Sequence, residues 1–562
     1  MKNNYFYSLK GNIINLLAPS IILILAACVP PQENSQLPIN PLNQTMTVND
    51  LLNVPINQIY STMPSNNTIT NESSDSHHNQ ENSLSPNTST YLTSATALIE
   101  LPAHLLKNHF EGRLETSLKR DITKEYDITW LDLSDFSIEK INSTITQLLG
   151  DNLVIEVDPP LPDIEELSNE HANFFTVSSR MTDNPDYLVD GIKDDSEIQE
   201  ALTQVWRNGG GMVFLYPGTY HIGTQLLVWD NTTLKGSGRV GNRKTIIKLH
   251  NNSENLKGKT GIIRMKKDFE PISFDKRVNH ATIEDFIIDG NRYNQKQNVS
   301  DNEKKYGYYG EGYYLTIRRI TSRNCQGYGY DPHASEDTKP TKYMLIEDSY
   351  AHHNFKDGFT LDMVQESRFV NNVAEHNDRH GFNVITHARE VIIADSISRH
   401  NKGAGIKVQN GTHSITFINN QINNNAQEGI YIRSSNDNQF INNIIAQNKK
   451  HAIRITGGRY NHFIENFIGI NSTLAKNEYS AIMINDYNGF YHRYPVPSIA
   501  VNNIFEKNIF ILKNERAVIE ELDDAMWNIF KENSLWSKQK TNFILSGKES
   551  RSINNFIYYQ DQ

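Results

Sequence analysis

The chain has 562 residues, a formal net charge of -11 and two cysteines, Cys28 and Cys325. That length supports a large core and more than one folded unit. The charge repels polyanions, so nucleic acid is excluded as a partner and an acidic polymer would need a local basic cleft; two cysteines build neither a disulfide framework nor a thiolate metal site.

Lys2 and Lys10 precede an apolar run from Ile13 to Ala27, interrupted by Pro19 and ending in Leu25-Ala26-Ala27-Cys28. A basic start, a short apolar stretch and small residues before a cleavage point describe a secretory signal over residues 1–27. The placing of Cys28 resembles the bacterial lipobox, which implies lipidation of Cys28 as the first mature residue; a signal anchor with an incidental cysteine is the alternative. Val29 in the next position then implies sorting to the outer membrane or cell surface, with the chain tied to the membrane by its lipid. No later apolar run is long enough to cross a bilayer. Residues 28–94 are rich in Asn, Ser, Thr and Pro, too polar to offset their ordering entropy, and read as a disordered tether. Over 95–180, Leu98-Ile99-Glu100-Leu101, Ile128-Thr129-Trp130-Leu131 and Leu153-Val154-Ile155-Glu156-Val157 have the look of short strands, and Ile138 to Leu149 has helical spacing. A small α/β module of unassigned role is expected there.

From residue 185 the pattern sharpens. Asp194-Asp195-Ser196-Glu197 offers N-cap residues and first-turn acids. Ile198, Ala201, Leu202, Val205 and Trp206 fall on one helical face. Gly209-Gly210-Gly211 then breaks the helix, and Met212-Val213-Phe214-Leu215 reads as a strand ending at Pro217-Gly218-Thr219-Tyr220. This order resembles the opening of pectate-lyase-like right-handed β-helices.

Internal repetition carries the fold prediction. Gly358-Phe359, Gly381-Phe382, Gly405-Ile406, Gly429-Ile430 and Ala452-Ile453 recur every 23 or 24 residues, in phase with Asn354, Asn377, Asn401, Asn425, Asn448 and Asn471. A short strand and a turn asparagine per period describe one rung of a parallel β-helix, with the asparagines stacked. A leucine-rich repeat has a similar period, but its leucine scaffold is absent. The expected class is therefore all-β, a right-handed parallel β-helix with an N-terminal capping helix, over residues 185–512. Val518 to Phe530 reads as an amphipathic helix and Asn542-Phe543-Ile544-Leu545 as a strand, within a C-terminal cap over 513–562.

Polar residues that repetition does not require are the candidates for chemistry. They concentrate in Gly327-Tyr328-Gly329-Tyr330-Asp331-Pro332-His333, in Asp357-Gly358-Phe359-Thr360-Leu361-Asp362, and in Asn377-Asp378-Arg379-His380-Gly381-Phe382-Asn383. Asp357 and His380, one period apart, should be neighbours about 4.8 Å apart along the stack. Such residue types suit proton chemistry at a carbon beside a carboxylate: a cation neutralises the carboxylate, and His and Tyr exchange protons. Protonation on the opposite face would invert the centre, whereas loss of the glycosidic oxygen would cleave the chain. His352, His353, His376 and His380 suggest a metal site, but strand neighbours face opposite ways. Cys325 reads as an inert wall residue.

The first and third runs closely resemble the catalytic module of secreted mannuronan C5-epimerases, with Tyr-Gly-Phe-Asp-Pro-His and Asn-Asp-Arg-His-Gly-Phe-Asn in the cleft. The resemblance spans about residues 185–510. It implies Tyr328 and His333 as an acid/base pair, in either order, and Arg379 and His380 as binders of the substrate and its carboxylate. It further implies Asp331, Asp357 and Asp362 at acidic cleft positions, and Lys296 as the lysine after Asp289-Gly290-Asn291-Arg292, although two positions early. The loop through Ser335-Glu336-Asp337-Thr338-Lys339-Pro340 is longer than in the relatives, and their calcium-binding glycine-aspartate repeats are absent. The expectation is a monomeric enzyme that epimerises an alginate-like anionic polysaccharide, with no organic cofactor and Ca2+ left open. A polyuronate lyase, or a β-helix that only binds glycans, is the alternative.

Overall fold

The repeated Gly/Ala-apolar pairs close into stacked coils. Phe359, Phe382, Ile406, Ile430 and Ile453 stand in direct register on successive parallel strands, each at most 1% exposed. Residues alternate across a strand, so the next position on each strand, Thr360, Asn383, Lys407, Tyr431 and Arg454, points outward in its own register row.

The computed structural model describes Ser143, Ile145, Leu149, residues 158–160 and residues 163–559, except 254–259, 268–275, 298, 301–303, 337, 488–498, 538–541 and 546–548. The signal, Cys28, the tether and the strands expected around Leu98, Ile128 and Leu153 lie outside the described residues. Among those described, no helix is long and apolar enough to cross a membrane.

The molecule is a right-handed parallel β-helix. One sheet has 12 strands, running from Leu226–Leu227 to Asn542–Ile544. The other has 29, most coils giving it two strands across a bend, as with Val364–Val370 and Val373–Glu375. The helix Asp195–Arg207 covers the N-terminal end and buries Ile198, Ala201, Leu202 and Val205. Its Asp194 cap accepts the Gly191 and His221 amides at 2.8 and 2.6 Å. Gly211 must be glycine: with φ +148, an added Cβ would sit 2.1 Å from the Asn173 carbonyl oxygen.

Both boundaries expected for the β-helix need correction. Phe174–Ser178 already pairs with Gly211–Leu215, so the stack starts before residue 185. The described part of the 95–180 stretch packs onto it: Leu167 of the helix Ile164–Glu170 meets Met212 and Phe214, and Ile145 is buried among Ile444, Phe467 and Ile511. At the other end the coils run on to Phe556–Tyr559. The helix expected over Val518 to Phe530 is replaced by the strands Ala517–Glu521 and Ile529–Lys531. Its apolar residues have helical spacing by coincidence, and pairing with Ile482 and Ile504 decides their conformation.

Asparagine ladders hold the bends. Along Asn354, Asn377, Asn401, Asn425, Asn448 and Asn471, each side-chain amide donates to the next carbonyl at 3.0 Å. A second ladder runs through Asn420, Asn443, Asn466, Asn508, Asn533 and Asn555 at 2.9–3.0 Å. Each carbonyl also accepts a backbone N–H, as Asn401 does from Asn377 at 3.1 Å, so these buried amides are satisfied. Inside, Tyr330, Phe359 and Phe382 stack with ring centroids 4.5 and 4.9 Å apart.

Candidate active site

The cleft lies on the outer face of the 12-stranded sheet, where the strands Tyr330–Pro332, Phe359–Asp362 and Phe382–Ile385 follow one another. Tyr328 precedes the first strand and His333 follows it, so one rung presents both, with the buried Asp331 between them.

Asp357 organises the next rungs. As the period predicts, it meets His380, whose amide donates to Oδ1 at 3.0 Å. Arg379 donates Nε to Oδ1 at 2.6 Å and Nη2 to Oδ2. Thr360 Oγ1 and Asn383 Nδ2 add bonds to Oδ2 at 2.9 and 3.0 Å. Burial would push the carboxyl up, but Arg379 and these donors outweigh it and hold it at about 2. Asp357, implied by the resemblance at an acidic cleft position, is 0% exposed and fixes Arg379 and His380 from beneath.

The Arg379 guanidinium carbon lies 5.3 Å from the Tyr328 ring centroid, and the Lys356 ammonium lies 5.1 Å from it. Burial raises the Tyr328 phenol, against the lowering effect of Arg379. Tyr328 therefore rests protonated. His380 Nδ1 accepts the Ala404 amide at 3.0 Å, so that nitrogen carries no proton. Burial, with Lys407 and Arg379 nearby, brings the ring to about 4. At neutral pH His380 is an uncharged donor through Nε2.

His333 Nδ1 lies 3.3 Å from Asp362 Oδ2. This is a charge contact, since Nδ1 has no aligned hydrogen bond and Asp362 Oδ1 accepts none. Burial works to lower the imidazole, but Asp362, Asp331 and Glu311 raise it above its usual value. The Tyr309 ring lies 5.3 Å from His333, and the Tyr309 hydroxyl donates to Glu311 at 2.9 Å. Glu311 also binds Lys266.

Of the residues expected in the cleft, Lys296 stands apart. It is exposed, its backbone carbonyl accepts Gln326 Nε2 at 2.9 Å, and no contact joins its ammonium to Tyr328, His333, Arg379 or His380. Sequence reading passed over Lys407, Arg433 and Arg454 on the following rungs. The signal was available, because Gly405-Ile406-Lys407 occupies the same phase as Gly381-Phe382-Asn383.

Among the described residues no group of three or more His, Cys, Asp or Glu is disposed to hold a metal. Asp357 and Glu311 are already bonded to Arg379 and Lys266. No step is routed through calcium. His353, His376 and His400 stack at 5.2 and 5.1 Å along a separate edge, without His380. Cys325 is buried, and burial pushes its thiol up to about 12. In a pocket on the other sheet, lined in part by Pro159, Leu167, Lys235, Glu284 and Arg318, Glu284 binds both Lys235 and Arg318.

The coil architecture and this cleft define the class. The model of the right-handed β-helix region matches residues 277–426 and 384–557, and the chain belongs to that family. Its stack is similar to two modules from Azotobacter vinelandii. The A-module of mannuronan C5-epimerase AlgE6 superposes with a TM-score of 0.58 at 26% identity, over 66% of this chain and 96% of the module. The A-module of AlgE4 gives 0.54 at 25% identity, over 68% and 97%. In sequence, whole AlgE6 is 33% identical over 266 residues, 44% of this chain but 28% of AlgE6. Alginate lyase 7 of the same organism is 33% identical over 214 residues, 36% of this chain and 23% of its own length. The chain thus spans about a quarter of the length of these curated relatives.

Proposed function

We propose that the chain is a polysaccharide C5-epimerase that converts mannuronate to guluronate residues in an alginate-like polymer. The observation that carries this reading is the placing of Tyr328 and His333 on one rung, beside a fixed Arg379 and a neutral His380. The similarity to epimerase modules supports it. His333 accepts the C5 proton in its neutral form, and Asp362, Asp331 and Glu311, which raise its imidazole, stabilise the proton once it is taken. The electron pair left by the broken C–H bond spreads into the substrate carboxylate, which Arg379 and the Nε2–H of His380 face. Tyr328, held protonated, donates its phenolic proton to C5 from the opposite face and is reprotonated by solvent.

The likeness to Alginate lyase 7 favours a second reading, in which the same carbanion expels the C4 oxygen. Incubating the protein with polymannuronate in deuterated water separates the two. Guluronate signals with deuterium at C5 and unchanged chain length support the epimerase. Ultraviolet-absorbing unsaturated ends without guluronate make it a lyase. Neither signal would leave only glycan binding. Export with a lipid on Cys28 belongs to the same proposal, and fatty-acid labelling that is lost in Cys28→Ala tests it.

A further inference from the structure

We propose that Lys407 positions the substrate by holding the carboxylate of a uronate unit flanking the one at Tyr328 and His333, an inference that rests on the polyuronate reading above. Polymer binding needs positive charge that the protein has not already neutralised. Arg379 serves the reacting unit alone, and two of its nitrogens already bind the Asp357 carboxylate. His380 is neutral, since its Nδ1 accepts the Ala404 amide. Lys266 is bonded to Glu311.

Lys407 differs from these. Register places it between Asn383 and Tyr431 on the outward row, so its side chain projects onto the cleft face one rung beyond His380. No carboxylate lies against its ammonium, whose close neighbour is the Tyr431 ring with its centroid 5.2 Å away. Asp331, Thr360, Asn383 and Lys407 occupy successive rungs, which sets Lys407 roughly 14 Å from Asp331 at about 4.8 Å per rung. Lys407 also lies one rung, about 4.8 Å, beyond the Arg379 and His380 that face the reacting carboxylate, which suits the unit next along the chain.

The groups facing Lys407 are Asp357, Arg379 and His380 on the preceding coils, Gln409 on its own strand, and Glu428, Tyr431 and Arg433 on the next. Burial first, then Arg433 and Arg379, against the opposing Asp357 and Glu428, bring its ammonium down to about 8. The free protein therefore loses this charge as the pH rises through about 8, and a bound carboxylate would retain it.

The test compares wild type with Lys407→Gln and Lys407→Arg, by turnover of polymannuronate and by calorimetric binding from about pH 6 to about pH 9.5. Thermal midpoints serve as the folding control. Lys407→Gln should raise KM and Kd about tenfold and change kcat less than about twofold. Lys407→Arg should keep the affinity and abolish the wild-type loss of binding near pH 8. Unchanged KM and Kd in Lys407→Gln, or an unmoved alkaline limb in Lys407→Arg, would overturn the proposal. A wild type that binds without turnover sinks the epimerase reading alone, because the Kd comparison still decides the role of Lys407. A wild type that binds no polyuronate sinks both.

Discussion

The asparagine ladders and the cleft are built from the same coils and obey opposite rules. In a ladder each side chain meets a copy of itself, and Asn377, Asn401 and Asn425 satisfy one another because they are identical. In the cleft each side chain meets something different: Asp357 meets Arg379, His333 meets Asp362, and Lys407 meets Tyr431. Repetition stabilises the stack, whereas departure from repetition shifts protons and leaves charge uncompensated.

Substitutions at five positions would break or sharpen this contrast. Replacing Asp357 with Ala strikes both sides, since it frees Arg379 and leaves several buried donors unpaired. Breaking a buried pair costs about 3–5 kcal/mol, and the half-exposed Arg379 should hold the loss near the lower end. Turnover should fall by more than about a hundredfold, read by thermal unfolding and kinetics together. The pH dependence has a definite sign. A carboxyl held at about 2 when folded and near 3.9 when unfolded contributes stability above about pH 4, which fades as the pH falls towards 2. Asp357→Asn should flatten that acid limb in a denaturation series.

Tyr328→Phe and His333→Ala come next. Each should cost about a hundred- to ten-thousandfold in turnover with a nearly unchanged melting midpoint. A large shift in the midpoint would mean that these residues hold the rung together and do no chemistry.

Asn401→Ala should do the reverse. It strands the Asn377 amide and backbone N–H, and costs about 2–6 kcal/mol at about 1–3 per unsatisfied group. Catalysis in the surviving folded fraction should be intact. The smallest effect belongs to Cys325→Ala, expected to cost about 1 kcal/mol and no activity, and the native protein should resist thiol alkylation.

The legible parts of the sequence follow the same division. The period of the Gly/Ala-apolar pairs and one asparagine ladder were readable because each position repeats its neighbour. So was the meeting of Asp357 with His380, a consequence of the period alone. The C-terminal coils were missed because Val518 to Phe530 satisfies helical and coil spacing together, and only pairing with the preceding coil separates the two. The second ladder was missed because a 42-residue step from Asn466 to Asn508 interrupts its spacing. In the cleft, residue types were readable, but their partners were not. That Arg379 spends its charge on Asp357 while Lys407 does not is a matter of side-chain direction, which neither spacing nor resemblance fixes.

The ladders also make the chain editable in whole steps. Each coil touches chiefly the coils before and after it, and Asn401, Asn425 and Asn448 present the same donor and acceptor at the same bend. Excising residues 425–447 would bring Asn448 to the place that Asn425 held, with Ile453 following Ile406 on the core row. The molecule would shorten by one notch while Tyr328, His333, Asp357 and Arg379 stayed where they are. Natural gain or loss of such units would change how much sugar chain the surface can grip without disturbing the place where protons move.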